Sequence, residues 1–115
     1  MSIVIYHNPR CSKSRQTLEL LRSQGHEPVV IEYLKTPPST QELEQILDVL
    51  GMEPRALLRT GEKAYREKGL DHPELDRSSL ISAMIADPVL IERPIVLANG
   101  KAAIGRPPER VLDIL

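Results

Sequence analysis

The chain opens on a four-residue apolar run, Ile3-Val4-Ile5-Tyr6, that breaks at His7-Asn8-Pro9. Proline there stops both ladder hydrogen bonding and any earlier helix, so the run predicts a strand feeding a turn. From Ser12 the period changes: Leu18 and Leu21, flanked by Thr17 and Leu20, fall on one stripe of a helix over residues 12–24, and Gly25 stands where a left-handed C-terminal cap is expected. Pro28 to Leu34 is rich in β-branched residues and predicts a second strand, which after an intervening helix is most simply parallel to the first. The crossover should be right-handed, with the first strand or its neighbour central in the sheet.

Beyond Pro37-Pro38, Ser39-Thr40-Gln41-Glu42 has the form of a capping box, and Leu43, Ile46, Leu47 and Leu50 follow at helical spacing up to Gly51. Residues 54–87 carry the apolar groups Ala56-Leu57-Leu58 and Leu80-Ile81-Ala83-Met84-Ile85, broken by Thr60-Gly61, Gly69 and Pro73, and predict short helices. Ile95-Val96-Leu97-Ala98 and Lys101-Ala102-Ala103-Ile104 flank Asn99-Gly100, a strong hairpin signal, so an antiparallel pair is expected. Gly105 ends the pair. Pro107-Pro108-Glu109 opens a last helix with Val111, Leu112 and Leu115 as its expected buried side. The order is β-α-β, a helical block at about 39–87, then β-β-α, in an α/β chain whose residues 1–115 are expected to form one domain.

Leu, Ile and Val make up 33 of the 115 residues, ample for a folded core. With no Phe or Trp and only Tyr6, Tyr33 and Tyr65 as aromatics, that core is aliphatic and base stacking has almost nothing to work with. The formal net charge is -1, with 15 basic and 16 acidic residues mixed along the chain, so no basic tail awaits phosphate backbones or anionic lipid. Neither nucleic acid nor a membrane is the expected partner, because no apolar run approaches the roughly 18 residues a span needs. The single cysteine excludes an internal disulfide, and His7, His26 and His72 are too scattered to build a zinc site with it, so no metal is expected. The strand-like start has the look of a chain without a leader, and a free thiol suits a cytoplasmic location. No apolar surface repeat marks an oligomer, which leaves a monomer as the expectation.

That one cysteine, Cys11, falls where the first turn meets the first helix, facing the unpaired N–H groups and positive dipole end that favour an anion. His7 and Arg10 are close enough in sequence to add positive charge, and Ser14, one helical turn on, could donate a hydrogen bond to the sulfur. The same N–H groups would favour a bound oxyanion, so nucleophile and anion site coincide. A lone cysteine is commonly a buried small hydrophobe. Cys11, however, has polar neighbours on both sides and lies on no apolar stripe, the pattern of a part-exposed reactive thiol. Ser14 equally suits a plain helix-start role, and His7 a turn residue bonding backbone.

Two motif tests narrow the chemistry. A Cys-x5-Arg phosphatase loop would put arginine at position 17, where this chain has Thr17, and a Cys-x-x-Cys exchange motif would need cysteine at Ser14. An outside thiol must therefore resolve any intermediate on Cys11. Arginines for an oxyanion must come from elsewhere, and Arg59, Arg93 and Arg106 stand out because each sits beside a break in the pattern, although by position alone each equally suits a surface charge.

The stretch "YHNPRCSKS" at 6–14, with "ALLR" at 56–59, "ERPIV" at 92–96 and "GRPPERVLDIL" at 105–115, closely resembles the glutaredoxin-coupled arsenate reductase (ArsC) family, nearest its YfgD-like branch. The resemblance covers the whole chain and implies a thioredoxin-like fold with a helical insertion, and a cis peptide bond at Arg93-Pro94 near the site. It implies that Cys11 attacks arsenate, that glutathione, as co-substrate, adds to the arsenic, and that glutaredoxin then takes the glutathione so that arsenite leaves, with no resident cofactor. It carries the arsenate-binding role onto Arg59, Arg93 and Arg106, a role in the nucleophile's acidity onto His7, and a place near the sulfur onto Ser14. The resistance enzymes of the family read "CGTS" where this chain has "CSKS", and Arg10 replaces a small residue, so the loop departs from theirs while the nucleophile does not. Two other readings stay open at this point: a glutathione-dependent thiol reductase acting through Cys11, and an Spx-like regulator that binds RNA polymerase, against which Ser14 and the arginine set argue.

Overall fold

Strands β1 (Val4–His7) and β2 (Val29–Glu32) lie parallel, with Val4 opposite Val29 and His7 opposite Glu32, and α1 (Ser12–Ser23) connects them. Strands β3 (Ile95–Ala98) and β4 (Lys101–Ile104) form the expected hairpin, and β3 runs antiparallel to β1, with Tyr6 opposite Ile95. The result is a mixed four-stranded sheet in the order β2-β1-β3-β4, the thioredoxin-like arrangement. Asn99 and Gly100 both take left-handed backbone, at φ 55° and 72°, which is what a two-residue turn matched to the twist of the strands requires.

A computed structural model describes residues 2–115. These divide into two compact units, residues 2–36 with Arg93–Leu115, and Pro37–Glu92. In the first unit one sheet face carries Ile3, Ile5, Val96 and Ala98, which pack with Leu21 of α1 and with Val111 and Ile114 of the last helix. Full burial of a leucine such as Leu21 contributes about 1.5–3 kcal/mol.

That last helix differs from expectation. It is a 3-10 helix, Pro108–Ile114, and it buries Pro108, Val111 and Ile114, while Leu112 is exposed and Leu115 only partly covered. Three residues per turn place positions 108, 111 and 114 on one side, where an α-helical period would have chosen 111, 112 and 115. In α1 the buried face is Ser14, Thr17 and Leu21, with Leu18 and Leu20 at its margins, so Thr17, expected to flank the stripe, lies at its centre and Ser14 joins it there.

The second unit holds α2 (Thr40–Leu50), α3 (Pro54–Leu57), α4 (Lys63–Glu67), α5 (Arg77–Ala86) and a short 3-10 helix (Pro88–Leu90). The capping box is present in full: Glu42 N–H donates to Ser39 Oγ at 3.1 Å, and Ser39 N–H to Glu42 Oε1 at 2.9 Å. Asp76 caps α5 by accepting Ser79 N–H, and hydrogen bonds from the backbone and then the side chain of Ser79 hold its carboxyl below the usual range. Arg55 ties down the loop before α5 by donating to the carbonyls of Leu70, at 2.8 Å, and His72. Among the described residues no helix is long and apolar enough to cross a membrane.

Candidate active site around Cys11

Cys11 is the N-cap of α1, in extended backbone conformation, and its side chain makes no capping hydrogen bond. The turn that delivers it is closed by Cys11 N–H donating to the Asn8 carbonyl at 3.0 Å across Pro9-Arg10, with proline at the turn position its fixed φ favours. Asn8 Oδ1 accepts from Arg10 N–H at 3.0 Å, and Arg15, from the next turn of the helix, donates Nη1 to the Pro9 carbonyl at 2.9 Å. The N–H groups of Ser12, Lys13 and Ser14 meet no protein acceptor among the described residues. The helix start therefore presents free donors and the positive end of its dipole beside the cysteine.

Ser14 is no plain helix-start residue. It is fully buried; its Oγ accepts Asn8 N–H at 3.0 Å and lies 2.6 Å from His7 Nδ1. The Asn8 amide donates to one lone pair of Oγ, and the short Oγ–Nδ1 contact is a second hydrogen bond whose direction is set by the imidazole tautomer. Burial pushes the imidazole below its ordinary value of 6.5, opposed by the Glu32 carboxylate and assisted by Arg22 and Arg15. This corrects the expectation that His7 adds positive charge beside Cys11: its ring is neutral at neutral pH. His7 also lines an open groove of about 600 Å³ with Arg15, Leu18, Glu19, Arg22 and Ser23.

Cys11 is itself 8% exposed, more enclosed than the part-exposed thiol its polar neighbours suggested. It remains the only cysteine and is free.

Of the expected arginines, Arg93 and Arg106 share the first unit with Cys11, His7 and Ser14, and Arg59 belongs to the second. The Arg93-Pro94 peptide bond is cis, and so is Arg106-Pro107, which the sequence did not single out. Gly105 N–H donates to the Pro94 carbonyl at 2.9 Å, and Arg106 Nη1 to the Arg93 carbonyl at 3.4 Å, so the two arginine-bearing segments are joined. Nε and Nη1 of Arg93 are buried, while Arg106 is exposed. The Arg59 guanidinium lies 2.5 Å from Glu62 and 3.8 Å from Glu92, two carboxylates that offset its charge. Two residues were missed as parts of the site. Asn8 orders the turn, and the Asn-Pro pair was its only signal; Thr17, fully buried, donates to the Lys13 carbonyl at 2.8 Å. Among the described residues no three His, Cys, Asp or Glu side chains converge on a metal position.

The ArsC family model matches residues 6–114. The chain belongs to the ArsC family. This ArsC protein is 54% identical over 114 residues to a protein of Escherichia coli named YfgD, covering 98% of this chain and 96% of that one. It is 50% identical over 114 residues to an arsenate reductase of Neisseria meningitidis, covering 98% and 97%. Among solved structures, an arsenate reductase from Vibrio cholerae superposes with a TM-score of 0.97 at 54% identity, covering 100% of this chain and 98% of that one.

Proposed function

We propose that this ArsC protein reduces arsenate to arsenite, with Cys11 as nucleophile. The observation that carries the reading is the free thiol at the start of α1, beside unpaired N–H donors and in one unit with Arg93 and Arg106, in a chain half identical to proteins named arsenate reductase. The Cys11 thiolate displaces a hydroxyl of arsenate, which takes up a proton from solvent and leaves as water, forming a sulfur–arsenic(V) bond. A glutathione thiol displaces a second hydroxyl as water, so that arsenic carries both sulfurs. A glutaredoxin thiolate then attacks the glutathione sulfur: that sulfur–arsenic electron pair stays on arsenic, which becomes arsenic(III), and the two thiols depart as a mixed disulfide. Water finally replaces Cys11 on arsenic, releasing arsenite and the thiol.

In this reading, Arg93 and Arg106 offset the oxyanion charge as it approaches the thiolate, which a forked guanidinium does in a bidentate way that lysine does not. Neutral His7, through Ser14, keeps the turn that presents Cys11 in place. Arg59 enters on the family resemblance alone, because Glu62 and Glu92 already hold its guanidinium. The cycle needs a reduced thiol and so a reducing compartment, such as the cytoplasm.

The test follows NADPH consumption through glutathione reductase and glutaredoxin with either arsenate or a glutathione mixed disulfide as substrate. For arsenate, Arg93→Ala and Arg106→Ala should each lose about tenfold or more in kcat/KM, as expected for lost charge stabilisation. Turnover of the mixed disulfide alone, insensitive to both arginines, would replace this reading with a thiol reductase.

A further inference from the structure

We infer that Gly105 is a positioning residue: its missing side chain lets the segment carrying Arg106 close onto α1, and so sets where that guanidinium stands relative to Cys11. This inference rests on Cys11 and Arg106 belonging to one site. The backbone of Gly105 is buried, and a Cβ built there would lie 2.5 Å from Thr17 Oγ1, 3.1 Å from Thr17 Cγ2 and 2.9 Å from Pro94 Cγ. Ordinary contact begins near 3.4 Å. Any side chain therefore forces apart three pieces of chain that now touch: α1, the start of β3, and the link from β4 to the last helix.

Thr17 cannot easily yield. It is fully buried and its hydroxyl donates to the Lys13 carbonyl, which holds the side chain back against the preceding turn of α1. Pro94 is also constrained, because its carbonyl accepts Gly105 N–H and its neighbour's carbonyl accepts from Arg106 Nη1. The contact is thus a three-way junction, and Arg93 and Arg106 are the next residues along the chain from two of its members. Gly105 has an ordinary negative-region backbone, so its requirement is space and not backbone freedom.

The test exploits the single cysteine. Alkylation by iodoacetate, an anion, and by iodoacetamide, its neutral counterpart, is read at Cys11, and the ratio of the two rates at low salt reports positive charge near the sulfur without any arsenate chemistry. Arg106→Ala should lower the ratio about threefold, the order expected if the shared oxyanion site that the inference rests on holds the unit charge about 5 Å from the sulfur in a water-like dielectric. Gly105→Ala should lower it by a similar factor, have no further effect in the Arg106→Ala background, and be partly reversed by adding Thr17→Ala, which removes two of the three clashing atoms and leaves Pro94 Cγ at 2.9 Å. A folded Gly105→Ala protein with an unchanged ratio, or one that lowers the ratio equally in the Arg106→Ala background, overturns the inference.

Should Gly105→Ala alone not fold, the Thr17→Ala/Gly105→Ala pair decides. A ratio clearly above that of Arg106→Ala supports positioning by exclusion, and a ratio as low as that of Arg106→Ala refutes it. Failure of wild type to turn over arsenate would sink the proposed function while leaving the alkylation ratios to judge Gly105.

Discussion

Ser14→Ala removes one hydroxyl and strands two buried partners. Asn8 N–H loses its acceptor at 3.0 Å and His7 Nδ1 its hydrogen-bond partner at 2.6 Å, in residues that are 8% and 6% exposed. Each buried polar group left unsatisfied costs about 1–3 kcal/mol, while alanine's better helix propensity returns roughly 0.5 kcal/mol. With two groups stranded, the net loss should be about 1.5–5.5 kcal/mol, a large part of the 5–15 kcal/mol a domain typically has. The assay is urea denaturation followed by circular dichroism, with Ser12→Ala as the control, since Ser12 is exposed in the same helical turn and should shift stability by less than about 0.5 kcal/mol. Because the lost bonds anchor the turn before Cys11, alkylation of the thiol by iodoacetamide should also change in Ser14→Ala and not in Ser12→Ala. A stability loss no larger than the control's would refute the claim that Ser14 joins β1 to α1 through His7 and Asn8.

Folding stability should carry the mark of the buried histidine. Its folded value is depressed, so between that value and 6.5 the unfolded chain binds a proton that the native chain refuses, and stability falls as pH drops through 6.5 until the native ring also protonates. The stability gap between wild type and His7→Asn should therefore narrow from pH 7.5 to pH 5.5; a constant gap would contradict it. In the second unit, Ser39→Ala breaks the capping box of α2 and should cost about 1 kcal/mol by the same denaturation assay, and an unchanged midpoint would show that the cap does not matter to the cooperative unit.

What was legible in the sequence was local. Asn99-Gly100 announces its turn because few pairs tolerate left-handed backbone twice in succession, and Ser39 with Glu42 announces a helix start because both hydrogen bonds form within four residues. Strand β2 came out shorter than residues 28–34, and α1 ends at Ser23, the usual uncertainty of element ends. The hidden features depend on partners far along the chain. Ser14 reads as a polar position, yet it is buried beneath the turn through His7 and Asn8, and the approach of Gly105 from far along the chain closes over Thr17. The neutral state of His7 follows from burial beneath Ser14, which no spacing records. In the last helix two prolines pointed to the start correctly, but the three-residue turn moved the buried side to Ile114.

Arsenic speciation by chromatography after incubating the protein with arsenate, glutathione and glutaredoxin tests the central claim most directly. The account predicts arsenite from wild type, none above background from Cys11→Ser, and none when either thiol component is omitted. Arsenite formed equally by Cys11→Ser, or no arsenite from wild-type protein whose Cys11 is demonstrably reduced, would contradict it.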